Sequence, residues 1–306
     1  MSAELNFEQV AGPFDFTEGP AWDGKTILFT DIPTSRILRY DPQSGETSVL
    51  RTKTNEANGL MFDREGRLYA CEGGDGVTFP KDGQTYTSDG RRIVRYETDG
   101  STTIIIDQFE GQRFNSPNDL AFDRLGRMWF TDPRYGNKSD DLELDHQSVY
   151  RADPQPDGSW DLHRITFDTT KPNGLLISED MKTLYVAQSD YAEVGPTELR
   201  AYAINDDGTA GDYEIMHNFQ PHRGVDGMVF DSESNIIATA GWATSGPGPM
   251  IYVFAPSGRV LETHPMPFDP SNCTFGDDDL QSLYVTAGGR LWRARTEHRG
   301  SLIYPS

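Results

Sequence analysis

Residues 118–131 read NDLAFDRLGRMWFT: a short apolar run, a polar turn opened by Asp123 and released by Gly126, and a second apolar run. Asp suits the start of a tight turn because its side chain accepts from backbone N–H groups just ahead of it, and Gly supplies the positive φ that closes it. Two apolar runs joined in this way predict a β-hairpin. The first six letters return as EGPAWD from Glu18, NGLMFD from Asn58, NGLLIS from Asn173 and DGMVFD from Asp226, at spacings of 40, 60, 55 and 53 residues. A period of this size belongs to propeller blades and solenoid units.

Each copy continues in the same way. A second apolar run (ILFT, LYA, MWF, LYVA, IIAT) is followed by a third (RILRYD, RIVRYE, SVYRAD, LRAYAI, MIYVFA), a turn such as DPQSGE or NDDGTAGD, and a fourth. A weaker sixth copy, NCTFGDDDLQSLYVT, starts at Asn272 and leads into RLWRAR. Four antiparallel strands per unit, six units and no helical periodicity between them predict an all-β fold, a six-bladed β-propeller filling residues 1–306 as one domain. The sixth unit runs out before a fourth strand. The N-terminal stretch NFEQVA is therefore expected to supply it and close the ring, which removes the open edges.

Composition narrows the partners. A formal net charge of -21 and a sequence pI near 4.5 argue against nucleic acid or an anionic membrane. With only Cys71 and Cys273, a disulfide framework is not expected and a zinc cluster built on thiolates is excluded. The opening MSAELNFEQV has no basic and apolar leader pattern, and no stretch approaches the ~20 apolar residues that cross a bilayer. These features lead to the expectation of a soluble, cytoplasmic protein, a monomer or weak homo-oligomer, whose partner is a small molecule.

In a propeller the first strand of each blade lines the axis, so the opening letters Glu18, Asn58, Asn118, Asn173 and Asp226, with Asn272 as a sixth, should meet at one mouth of the channel. Each letter alone is an ordinary turn or capping residue. As a ring they form an oxygen-donor set without His or Cys, which suits a divalent cation, Ca²⁺ first, with Mg²⁺, Mn²⁺ and Zn²⁺ as further options. The segments after the second strands, CEGGDGVTFPKDG, FTDPRYGN, AQSDYAEVGP and AGWATSGPGP, are long and Gly-rich. Long loops on a rigid scaffold carry binding residues, and Asp132, Arg134, Tyr135 and Trp242 are the candidates for substrate contact, weighed against plain loop packing.

The stretches FTEGPAWDG, SPNDLAFDRLGRMWFTDPRYG, KPNGLLISEDMKTLYVAQSD, GVDGMVFD and SNCTFGDDDLQSLYVTAGGRLWRA together resemble the gluconolactonase/regucalcin-like (senescence marker protein) family of six-bladed propellers over nearly the whole chain. That resemblance implies a divalent cation, most often Ca²⁺, held by Glu18, Asn173 and Asp226, with Asn118 touching metal or substrate; in the similar diisopropylfluorophosphatases the matching Asn is a ligand. Asn58 joins the substrate contacts. Two departures stand out. The substrate-binding Arg of the regucalcin branch falls on Ser116, leaving nearby Arg113 as a substrate contact or a loop brace. The usual acid of YVADS is Gln188. The implied activity is that of a carboxylic-ester hydrolase opening a sugar lactone such as gluconolactone to its aldonic acid. The metal would polarise the carbonyl, and Asp226 would act as general base or nucleophile. His222, four residues before Asp226, is either a loop histidine or a proton shuttle. The alternatives are a phosphotriesterase or arylesterase of the diisopropylfluorophosphatase type, a non-catalytic calcium-binding propeller, and a protein-docking propeller.

Overall fold

The computed structural model describes residues 4–74, 78–81, 84–135, 141–192 and 195–305, with backbone alone for 78–81 and 84–86. Six four-stranded antiparallel sheets form six blades. The innermost strands are Thr17–Trp22, Ala57–Phe62, Leu120–Phe122, Pro172–Ile177, Val225–Phe230 and Pro270–Gly276. Each touches the next around a closed ring, the last meeting the first. Among the described residues no helix is long and apolar enough to cross a membrane.

The turn letters of the repeat do what their chemistry predicts. Asp63 Oδ1 accepts from Glu65 N at 3.0 Å and Arg67 N at 2.9 Å, Asp123 Oδ1 from Leu125 N at 2.9 Å and Arg127 N at 3.0 Å, and Asp231 Oδ1 from Glu233 N at 2.9 Å and Asn235 N at 2.8 Å. Ser178 replaces the acid in the fourth blade, its Oγ accepting from Thr183 N at 2.9 Å. Between neighbouring blades lie apolar clusters, one at each of the six junctions. Tyr69, Phe122 and Tyr150 belong to the cluster between blades two and three, and Leu38, Tyr40 and Leu291 to that between six and one. Burial of these faces against one another, rather than any local propensity, sets the blade angle.

The ring closes as the sequence leads one to expect. Glu8–Ala11 pairs antiparallel with Arg290–Arg295, completing the sixth sheet. Arg293 Nη2 and Nε both reach Glu8 Oε1, at 2.5 and 2.8 Å. The rest of the C-terminal segment was not foreseen. Ser232 N donates to Arg299 O at 2.7 Å and Ser301 N to Phe230 O at 3.0 Å, which ties the segment to blade five. Leu302 and Ile303 then lie over the channel mouth remote from the long loops, and Tyr304 packs on Phe62 of blade two with ring centroids 5.6 Å apart.

One segment read as an irregular loop is a hairpin instead. In blade five Ile236–Trp242 turns directly into a ten-residue strand, Ser245–Phe254, with Trp242 opposite Ser245. Gly241, Gly246 and Gly248, at φ +82°, +68° and +96°, give the backbone the left-handed positions that this twisted extension needs.

Candidate active site

Four of the innermost strands carry a one-residue bulge beside the opening letter, seen as register shifts between Glu18 and Ala21, Ala57 and Leu60, Pro172 and Leu175, and Val225 and Met228. The bulge frees backbone groups from the ladder, and hydroxyls of the second strands satisfy them. Thr30 Oγ1 donates to Asn58 O at 3.1 Å, Thr131 Oγ1 accepts from Asp119 N at 3.1 Å, and Thr239 Oγ1 accepts from Gly227 N at 3.0 Å while donating to Ser271 O at 2.7 Å. Thr30 and Thr239 thus stitch one blade's bulge to the next. The residue after the opening letter is Gly in four blades because the next strand passes so close; a Cβ on Gly59 would sit 2.6 Å from Asp119 Oδ1 and 2.8 Å from Asn118 O.

The bulges aim Glu18, Asn58, Asn118, Asn173 and Asp226 into one cavity of ≈ 550 Å³ on the long-loop face. That size suits a small-molecule site. The sixth corner differs from the expectation. In blade six Pro270 pairs with Ala287 and Asn272 with Thr286, as Thr17 pairs with Asp31 and Glu18 with Thr30 in blade one, but here the extra residue precedes the pairing. Counted from the strand start, Ser271 therefore holds the position of Glu18 and lines the cavity, and Asn272 takes the position of Gly19. Asp119 occupies that same position in blade three, opposite on the ring. The Asn272 amide points into the axis beneath the site, against the Glu18 and Asp119 carboxylates.

Charge is concentrated on this floor. Burial, followed by repulsion from Asp226, pushes the Glu18 carboxyl well above the usual carboxylate range. Enclosure in the channel takes Asp119 up to about 7. Burial also raises Asp226, against the pull of the Arg223 guanidinium, whose Nη2 pairs with Asp226 Oδ2. The other guanidinium nitrogen, Nη1, donates to Pro270 O at 2.7 Å and Gly241 O at 3.1 Å. The Asn173 amide lies against both Asp226 and the Tyr135 hydroxyl. Two carboxylates and three amides, their oxygens around one space, fit a hard divalent cation. Glu18, Asn118, Asn173 and Asp226 are the residues that could hold it. Among the described residues no cluster of three or more His, Cys, Asp or Glu offers an alternative metal cage.

The walls come from the loops. Arg134, Tyr135 and Trp242 line the cavity as expected from their place in the sequence. Asp132 and Arg113 do not. Asp132 is 0% exposed, and its two oxygens accept from Asn115 N at 2.8 Å and Ser116 N at 2.7 Å. It braces the segment ahead of the innermost strand, as Asp31 does by accepting from Asp15 N and Phe16 N, both at 3.2 Å. Gln188 stands at the same place in blade four, its Oε1 accepting from Thr170 N at 3.1 Å, so loss of the acid there leaves the brace intact. Arg113 is half exposed and engaged by Glu143, Nε to Oε1 at 2.5 Å. His222 faces Ser245, Nδ1 to Oγ 3.3 Å, away from the cavity. Reading the sequence missed Phe16, Glu56, Tyr191, Arg223 and Asp269, all of which line the space. The available signal for Arg223 was its place in HRGVDG, a strong cation three residues ahead of the Asp that opens a copy of the repeat.

The SMP-30/gluconolactonase/LRE-like region matches residues 16–289. A gluconolactonase of Zymomonas mobilis is 32% identical over 98% of this chain and 84% of its own length. A 6-deoxy-6-sulfogluconolactonase of Pseudomonas putida is 26% identical over 91% of this chain and 85% of its own. The solved structure of a gluconolactonase from Xanthomonas campestris superposes with a TM-score of 0.78 at 32% identity, covering 96% of this chain and 90% of that one. The match takes in all six innermost strands and the whole cavity floor, and the chain belongs to the SMP-30/gluconolactonase/LRE-like family.

Proposed function

We propose that the protein is a carboxylic-ester hydrolase that opens a sugar lactone to its aldonic acid with the help of a divalent cation, Ca²⁺ in the first place. One observation carries the reading: five carboxylate and amide side chains from five blades share the floor of one open cavity, with a carboxylate among them fixed by a buried arginine. Lactone-hydrolysing relatives in the same family support the reaction class.

The roles of the residues follow from their surroundings. Arg223 locks one oxygen of Asp226, so the carboxylate cannot turn away and its other oxygen faces the space where water and a carbonyl carbon would meet. With one oxygen held by Arg223, the other oxygen of Asp226 is placed to serve as general base for the attacking water or as nucleophile toward the carbonyl carbon. Asn58 and Asn118 offer amide hydrogens and oxygens to ring hydroxyls. Glu18, Asn118, Asn173 and Asp226 are the ligands, and a cation bound there would draw electron density from the lactone carbonyl. The wall and loops keep bulk water to one side, which strengthens each of these interactions.

The test is hydrolysis of aldonolactones, aryl esters and organophosphates by the same preparation, with Ca²⁺ and after chelation. Lactone turnover that vanishes on chelation and returns with Ca²⁺, and that is lost in Glu18→Gln and Asp226→Asn, is the expected result. Full activity after chelation would remove the metal from the proposal, and turnover confined to esters or organophosphates would replace the substrate.

A further inference from the structure

The cavity is divided by chemistry. Across the loops of blades three, four and five runs a continuous aromatic wall. Tyr135 stacks on Tyr191, ring centroids 5.8 Å apart at 25°, and Tyr191 meets Trp242 at 5.0 Å and 49°. The floor below it is polar. Arg223 lies under this wall, its guanidinium carbon 5.8 Å from the Trp242 ring and 6.0 Å from that of Tyr191, and it is already neutralised by Asp226.

The second observation is the charge around the cavity. Four carboxylates line it, those of Glu18, Glu56, Asp226 and Asp269, against two guanidiniums. Both guanidiniums have acidic neighbours, Arg223 in Asp226 and Arg134 in Asp141, 3.7 Å away. Once a dication is seated, the charges of the described lining residues balance. Among those residues an anionic group on a substrate would meet twice as many carboxylates as guanidiniums, on a chain of net charge -21.

We propose that the Tyr135–Tyr191–Trp242 wall is the specificity element of this site: it takes the C–H face of an uncharged sugar-lactone ring, and the cavity discriminates against lactones that carry a sulfonate, phosphate or carboxylate. A pyranose or furanose ring presents axial C–H groups on one side and hydroxyls around its edge, so one face can lie on aromatic carbon while the edge meets the Asn amides. The electron-rich ring faces favour the weakly positive C–H groups. This inference rests on the lactonase reading and adds the kind of lactone. It also sets this chain apart from its sulfogluconolactonase relative, whose named substrate bears an anion.

Steady-state hydrolysis of an uncharged aldonolactone and of its 6-phospho or 6-sulfo counterpart tests it. For the wild type, kcat/KM is expected to be lower for the charged lactone by at least about tenfold. Trp242→Ala and Tyr191→Ala should each raise KM for the uncharged lactone by about tenfold while changing kcat little, because stacking holds ground state and transition state alike. Trp242→Tyr, which keeps an aromatic face, should restore most of the lost affinity, whereas Trp242→Leu, of similar apolar character, should not. Equal turnover of charged and uncharged lactones would overturn the charge argument. Wild-type KM in both alanine variants, or equal rescue by Leu and Tyr, would overturn the wall. Absence of turnover on every lactone by the wild type is a different outcome, and it would bring down the lactonase reading and this inference with it.

Discussion

Replacing Asp132 by Asn separates a loop brace from a substrate contact. The Asp132 carboxyl is wholly buried, and burial raises it from the ordinary 3.8 to about 7, even though two backbone N–H groups and the nearby Arg91 and Arg134 favour its ionised form. Between these two values the folded protein keeps a proton that the unfolded chain has already released. Stability therefore falls as pH rises through this window, by ~1.4 kcal/mol per unit, and levels off above it. From pH 5 to pH 8 the wild type loses at most about 3 kcal/mol through this one group. The amide of Asn has no such proton. It does lose one of the two acceptors facing Asn115 N and Ser116 N, a cost of about 1–3 kcal/mol that does not depend on pH. The two effects separate in urea unfolding of both proteins at pH 5 and pH 8, since every other titrating group is shared. The variant should be the weaker at pH 5 and should recover by up to about 3 kcal/mol relative to the wild type at pH 8. KM for lactone should stay within about twofold, because the side chain does not reach the cavity. A stability difference that is the same at both pH values would refute the raised carboxyl, and a large rise in KM with unchanged stability would make Asp132 a substrate ligand.

Other perturbations probe different parts of the molecule. Gly59→Ala would press a Cβ against the Asn118 carbonyl and the Asp119 side chain, so a loss of about 3 kcal/mol in unfolding free energy is expected, together with weakened lactone hydrolysis as Asn118 is displaced. Glu18→Gln fills the same buried space without a charge; in chelator its Tm should be no lower than that of the wild type, and the rise in Tm expected of the wild type on adding Ca²⁺ should be missing. Deletion of residues 301–306 removes the half-buried Leu302, Ile303 and Tyr304 from the remote channel mouth, for about 3 kcal/mol of stability by chemical denaturation. Its KM should not change, since that segment lies on the far side of the ring from the loops.

What could be read in the sequence was the part encoded locally. Asp63, Asp123 and Asp231 declare their turns within five residues, and the return of the same six letters five times gives the number of blades almost by counting. The opening residue was recognisable as a candidate site position because it changes between Glu, Asn and Asp from copy to copy yet always carries a carboxylate or amide oxygen. The sixth corner was misplaced for a physical reason. In SNCT the Asn has the right letter, but which residue points to the cavity depends on where the bulge falls, and a shift by one puts Ser271 there instead. Asp132 reads in the sequence as a candidate substrate contact or a packed loop residue; only the fold shows that its oxygens are spent on Asn115 and Ser116. Tyr191 escaped notice because its meeting with Trp242 joins loops far apart in sequence, and no periodicity marks a contact of that kind; Arg223, three residues before Asp226, was marked locally by HRGVDG alone.

The strand that closes the ring also sets a schedule. Glu8 and Arg293 are 285 positions apart, so during synthesis the first strand emerges long before its partner exists. At ordinary elongation rates the interval is roughly 15–60 s. Throughout that time the growing chain carries an unpaired N-terminal strand, and the newest blade always presents a free edge. Five blades can form from neighbours, but the last joint is made only when Arg290–Arg295 has left the ribosome. The cavity floor depends on that joint, because Glu18 of the first blade and Ser271 of the sixth flank it: Ser271 Oγ donates to Thr17 O at 2.8 Å across the seam. A chain stalled or cut in its final blade would thus be about five-sixths folded yet wholly without a site, and its two adhesive edges would make it a ready client for chaperones or a seed for aggregation.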